Sequence, residues 1–173
     1  LINAAVPPFS PWLTSAYPAA RTSGSVFLIG IVTKLSIYSL IKLFAGEELL
    51  IHLGIFMVIY GACYAVVEDN IRKMLCFATI SQLGLMLIGC GFNNYEILVA
   101  TSLLAFCHVI YKTLLMILAG TIYDTTSINR FSKIGMLPKE LLIIYISGLI
   151  AMFYVISVPG VGSFFNKITI AEH

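Results

Sequence analysis

The chain has 173 residues, 60% of them hydrophobic and only 10% charged, with a net charge of +2 and a mean hydropathy of +0.99. Soluble domains run at roughly 45–50% apolar and roughly 25% charged residues, so a soluble globule, a disordered segment and a basic nucleic-acid module are all excluded. Lipid is the expected solvent.

Leu1 to Val6 carry no recognisable signal or transit peptide, and apolar segments reach both ends of the sequence. A piece of a longer membrane protein is expected; a complete small membrane protein with an unusual start is the other reading. Pro7, Pro8 and Pro11 interrupt the first apolar stretch, which reads as a broken helix running into Trp12-Leu13. Windows at 22–44, 49–67, 74–92 and 97–122 each hold the about 20 mainly apolar residues that cross a bilayer as a helix, and a fifth runs over 141–157. Between them lie short polar connections: Ala45 to Glu48, Glu68 to Lys73, Asn93 to Glu96, and the longer Asp124 to Glu140. A second break, Val158-Pro159-Gly160-Val161-Gly162-Ser163, precedes Phe164-Phe165-Asn166-Lys167. Inside a membrane, broken helices persist where protein or water satisfies the freed backbone groups, so the two breaks hint at a transport path. A simple loop at each end is the bland alternative. The fold class expected is all-α: a polytopic bundle of about five transmembrane helices with two broken-helix ends, in one domain over 1–173.

Threading these windows back and forth puts Arg21, Arg72, Lys73, Arg130, Lys133 and Lys139 on one side, and only Lys42 on the other. The positive-inside rule makes the first side cytoplasmic. Trp12, Tyr17 and Tyr95 fit an interfacial aromatic belt. Cys63, Cys76, Cys90 and Cys107 stand in apolar runs without a CxxC pair, and read as small buried residues. No nicotinamide, flavin or iron–sulfur signature is present, so no cofactor is expected. His108 has no ligand partner three or four residues away, so neither is a metal.

Lys34, Lys112 and Lys167 remain, outside the loops. Lys34 sits near the middle of its window, where a lysine costs about 2.5–3.5 kcal/mol on insertion scales. Lys112 lies four residues after His108, which places both on one helical face. An ammonium deprived of water holds its proton less firmly, and a nearby imidazole can pass protons at physiological pH. A lone membrane histidine is more often a hydrogen-bond donor between helices; a histidine and a lysine on one face, near a second buried lysine, favour a proton relay. Lys167 follows the second break and reads equally well as buried or interfacial. His52 reads as interfacial, and Ser81-Gln82 as packing between helices.

Five stretches together resemble the antiporter-like membrane subunits shared by respiratory complex I and the Mrp-type cation/proton antiporters: Pro8 to Leu13, Ser25 to Tyr38, Asn70 to Gly84, His108 to Leu115 and Pro159 to Lys167. The resemblance covers nearly the whole chain. It implies one half-channel of a subunit of about fourteen helices, the second of two inverted repeats. Lys34 would be the central lysine, His108 and Lys112 the relay, and Lys167 the terminal lysine, with protons, alone or together with sodium, as the transported ions. The partners implied are the lipid bilayer and other membrane subunits of the complex, in the bacterial inner membrane or the mitochondrial inner membrane. Thr33-Lys34 followed by Leu-Ser-Ile-Tyr looks closer to the large D-type Mrp subunit than to the complex I subunits. Departures from the pattern are Asn3 where a lysine is usual, Asn70 where an aspartate is usual, Thr14-Ser15 for Pro-Asp, and Pro159-Gly160 for a double proline. Asn3 cannot carry a proton, which leaves an inactive or structural membrane remnant as a further reading.

Overall fold

The computed structural model describes residues 1–92, 94–135, 142–159 and 162–171. Helix α1 spans Pro11–Ala19, with Pro11 in the first turn, where its missing N–H has no partner to lose. Trp12 donates its indole N–H to the Ile2 carbonyl at 3.0 Å and so folds the leading segment back onto α1. The next span, Thr22–Phe44, is one apolar rod in three pieces: α2 (Thr22–Phe27), a π turn (Leu28–Val32) and α3 (Thr33–Phe44). The π turn has no counterpart in the sequence reading. A Gly46 turn at φ 91° leads on to α4 (Glu48–Val67), and its N–H donates to the Cys90 carbonyl at 3.1 Å. Helices α5 (Ile71–Gly91) and α6 (Tyr95–Thr126) follow, started by Asn70 and Asn94, whose side chains accept from Lys73 N–H and Glu96 N–H. Helices α7 (Leu142–Ile156) and α8 (Gly162–Ala171) complete the described elements.

Four of the described helical spans are long and apolar enough to cross a membrane: Thr22–Phe44, Glu48–Val67, Ile71–Gly91 and Tyr95–Thr126. The expected fifth is the 15-residue α7, shorter than the others. The architecture is therefore all-α and polytopic, as its composition requires.

Helix α5 is the axis of the bundle: 67% of its apolar window is buried inside the protein, against 22% for α4. The outer side of α4 leaves Ile55, Phe56, Ile59 and Tyr64 exposed. Close approach of α4 to α5 depends on glycine. A Cβ on Gly54 would lie 2.7 Å from the Gly84 carbonyl, and one on Gly61 would lie 2.5 Å from the Ser81 nitrogen. Without a hydrophobic driving force in lipid, small residues that let backbones touch hold such pairs together.

The connections carrying Arg21, Arg72, Lys73, Arg130 and Lys133 gather at one end of the bundle. Asn70 bridges to Arg130, Ile71 N–H donates to the Asn129 carbonyl, and Arg21, Arg72 and Asn129 line one open cavity of about 820 Å³. Lys139 lies outside the described residues.

Candidate functional site

The π turn prepares the surroundings of Lys34. A π turn realigns the carbonyls of its segment relative to the regular ladder, and here two successive carbonyls are taken by side chains. Tyr17 donates its hydroxyl to the Leu28 carbonyl at 2.9 Å. Lys34 donates its Nζ to the Ile29 carbonyl at 2.6 Å and to Thr33 Oγ1 at 3.0 Å. Lys34 is half-buried and lines an open groove between α3 and α6, with Ser102, Ala105 and Val109 opposite.

The span 22–44 runs antiparallel to α6. Thr22 packs on Gly120 and Gly30 on Thr113, which sets Lys34 at the level of Val109 and His108. His108 is fully buried, and neither of its ring nitrogens has a hydrogen-bond partner among the described residues. One turn on, Lys112 is 1% exposed, and its Nζ reaches the Leu75 carbonyl on α5 at 3.4 Å. Lys167 on α8 is half-buried and donates to the Val155 carbonyl of α7 at 2.9 Å, spanning the second break. Lys34 thus stands on α3 at the level of His108, Lys112 one turn from His108 on α6, and Lys167 on α8, which packs against α6.

What surrounds them is main chain and hydroxyl rather than carboxylate. Among the described residues, every Asp and Glu lies in a connection or within three residues of a helix end: Glu47, Glu48, Glu68, Asp69, Glu96 and Asp124. Four further buried polar atoms, Arg72 Nε, Gln82 Oε1, Tyr111 Oη and Ser157 Oγ, have no hydrogen-bond partner among the described residues, and the Tyr111 ring stands edge-on to His108 with centroids 5.2 Å apart. No group of three His, Cys, Asp or Glu able to hold a metal occurs among the described residues.

Several sequence expectations need correction. Tyr17 is not part of an interfacial belt but fully buried, its hydroxyl on the Leu28 carbonyl of the π turn and its helix α1 packed along α5. Arg72 is not a solvated loop charge. It is 8% exposed, donates to the Pro18 and Ala20 carbonyls at 3.4 and 3.3 Å and to Thr22 Oγ1 at 3.0 Å, and stacks over the Tyr123 ring. Its fork closes the open carbonyl end of α1. Cys76 and Cys90 are buried, but Cys107 is only half-buried and Cys63 faces outward on α4. His52 is exposed near the start of α4, with Nδ1 3.0 Å from the Glu48 carbonyl, and Tyr95 is exposed at the start of α6. Asn3 lies in the segment ahead of α1 and is exposed.

The family model for the transmembrane region of NADH:quinone oxidoreductase and Mrp antiporter proteins matches residues 1–173. Among curated relatives, NAD(P)H-quinone oxidoreductase chain 4 1 of Synechococcus elongatus is 28% identical over 172 residues, covering 94% of this chain and 32% of that protein. NADH-quinone oxidoreductase subunit M of Rickettsia prowazekii is 28% identical over 170 residues, covering 92% and 34%. The subunit M of Buchnera aphidicola is 29% identical over 180 residues, covering 98% and 35%. The chain spans about a third of the length of these relatives. A solved chain of the membrane-bound sulfane sulfur reductase, an archaeal respiratory membrane complex, shares the fold with a TM-score of 0.86 at 23% identity, covering 98% of this chain and 37% of that one. Helices, spacing and full-length match agree: the chain belongs to the NADH:quinone oxidoreductase/Mrp antiporter transmembrane family.

Proposed function

We propose that this chain forms a proton-conducting half of a membrane subunit in an NADH:quinone oxidoreductase, with hydrogen ions exchanged along Lys34, His108, Lys112 and Lys167. The observation that carries the reading is His108: a fully buried imidazole with both nitrogens unpartnered among the described residues, one turn from the buried Lys112. Buried polar groups are nearly always satisfied, by protein or by internal water. An imidazole with two open nitrogens among lysines is suited to take a proton on one side and release it on the other, through one or two waters. The lysines support the same chemistry. They rest on neutral carbonyls and a hydroxyl, which stabilise an ammonium without the tight hold of a carboxylate.

The sequence preference for an Mrp D-type subunit is not the reading favoured here. Its named relatives include NADH-quinone oxidoreductase subunits, which supports the quinone-linked assembly over cation exchange. The setting would be an energy-coupling membrane, bacterial inner or mitochondrial inner, with other membrane subunits as partners.

The test is Lys112→Met and His108→Phe in the complete subunit, assembled in its complex in sealed vesicles. NADH-driven acidification of the lumen should fall by about tenfold or more in either variant, while NADH oxidation by an artificial acceptor persists. Unchanged acidification removes the relay and leaves a structural remnant. Dissipation of a pH gradient by a sodium gradient, without any quinone, would instead point to cation/proton antiport.

A further inference from the structure

Two neighbouring carbonyls in the π turn are clasped from opposite directions. Tyr17 reaches Leu28 from α1, outside the span, and Lys34 reaches Ile29 from within it. Tyr17 is fully buried, its ring meets Trp12 edge-on at 5.6 Å, and its helix α1 packs along α5. The phenol therefore stands where α1, the π turn and α5 meet.

A π turn accommodates one residue more than the regular helix it interrupts. If the segment relaxed to the regular ladder, everything on its carboxyl side would turn by about 100° relative to α2. Lys34 is the second residue after the turn, so the register of Leu28–Val32 sets which way its ammonium points: toward the Ile29 carbonyl and α6, or away from both. We propose that Tyr17 is a positioning residue for Lys34: its hydroxyl bond to Leu28 fixes the π register and thereby aims the Lys34 ammonium at its Ile29 and Thr33 oxygens beside α6. This rests on the relay reading for its functional consequence, but not for its geometry. The titratable groups on the elements packed around this assembly are His108 and Lys112 on α6, Cys76 on α5 and Lys167 on α8.

The experiment uses Tyr17→Phe in the complete subunit, with Thr33→Val as a second variant that keeps side-chain shape while removing the hydroxyl at Lys34. Proton pumping is followed against pH, and isotope-edited infrared bands report the Leu28 and Ile29 carbonyls. Tyr17→Phe should move both bands and shift the midpoint of the pH–rate profile by roughly half a unit or more, the scale of one buried hydrogen bond. Thr33→Val should shift the profile with the Leu28 band in place. An unmoved Ile29 band in Tyr17→Phe overturns the proposal, whatever happens to transport. A moved Ile29 band with an unshifted profile, in a subunit where Lys34→Met abolishes pumping, overturns it also. Should Lys34→Met leave pumping intact, the relay reading fails, and the Ile29 band alone decides whether Tyr17 aims Lys34.

Discussion

Arg72 shows how far a single side chain can depart from what its neighbours in sequence suggest. Beside Lys73 in a short polar connection it reads as a surface charge, yet its guanidinium is spent on main-chain carbonyls 52 and 54 residues away. A planar fork can serve Pro18, Ala20 and Thr22 at once; a lysine head cannot. Arg72→Met should therefore lower stability in lipid or mild detergent by about 2–3 kcal/mol, read as a drop in thermal midpoint. Arg72→Lys should recover less than half of it, although it keeps the charge. Lys73→Met, one residue on, is the control and should leave the midpoint in place.

At the scale of elements, the contact between α4 and α5 makes a sharp forecast. A Cβ on Gly84 would meet the Gly54 carbonyl at 2.7 Å and the Val58 nitrogen at 2.8 Å, both backbone atoms that cannot swing aside. Gly84→Val should cost about 2 kcal/mol or more and separate the pair. Gly24→Ala meets nothing closer than 3.8 Å and should stabilise by about 0.5–1 kcal/mol, since alanine is the better helix residue; thermal melts of the two variants check both signs. The spans themselves were legible because apolar length is a strong signal: windows 22–44, 49–67 and 74–92 differ from the observed helices by at most three residues. The lysines were legible for the converse reason, as charges in the wrong solvent. The π turn was not. Leu28-Ile29-Gly30-Ile31-Val32 is as apolar as any regular helix, and what distinguishes it lies in the Tyr17 hydroxyl and the Lys34 ammonium that close on it. Tyr17 departs from its sequence expectation for a related reason: an aromatic near a predicted interface carries the same letters whether it faces headgroups or a backbone carbonyl.

Across the whole molecule, the basic end is the best-tied region outside the helices. Asp69 accepts from the Ser132 hydroxyl at 2.7 Å and from its N–H at 3.0 Å, and Phe131 N–H donates to the Asp69 carbonyl. The Ser132 hydrogen bonds, with Arg130 and Lys133 nearby, hold the Asp69 carboxyl below its ordinary range. A carboxylate with a lowered native value contributes its tether above the ordinary value of about 4 and loses it as pH falls through the lowered one. Hydrogen exchange at the Ser132 amide should thus stay protected from neutral pH down to about 4 and open below it, while Asp69→Asn should be open at neutral pH as well.

One consequence of the Arg72 knot concerns where the bundle can move. Because this residue joins the end of α1, the start of α2 and Tyr123 of α6 to the head of α5, any sway of these helices would pivot at that end. The Leu75 carbonyl that receives Lys112 is one turn from that pivot, whereas Lys34 is twelve residues beyond Thr22, about 18 Å along the rod. A five-degree sway of that rod would sweep Lys34 through about 1.5 Å and leave the Leu75 perch nearly still. Lys112 stands eleven residues from Tyr123, about 16 Å along α6, so a sway of either helix would displace a lysine while the Leu75 carbonyl stays in place.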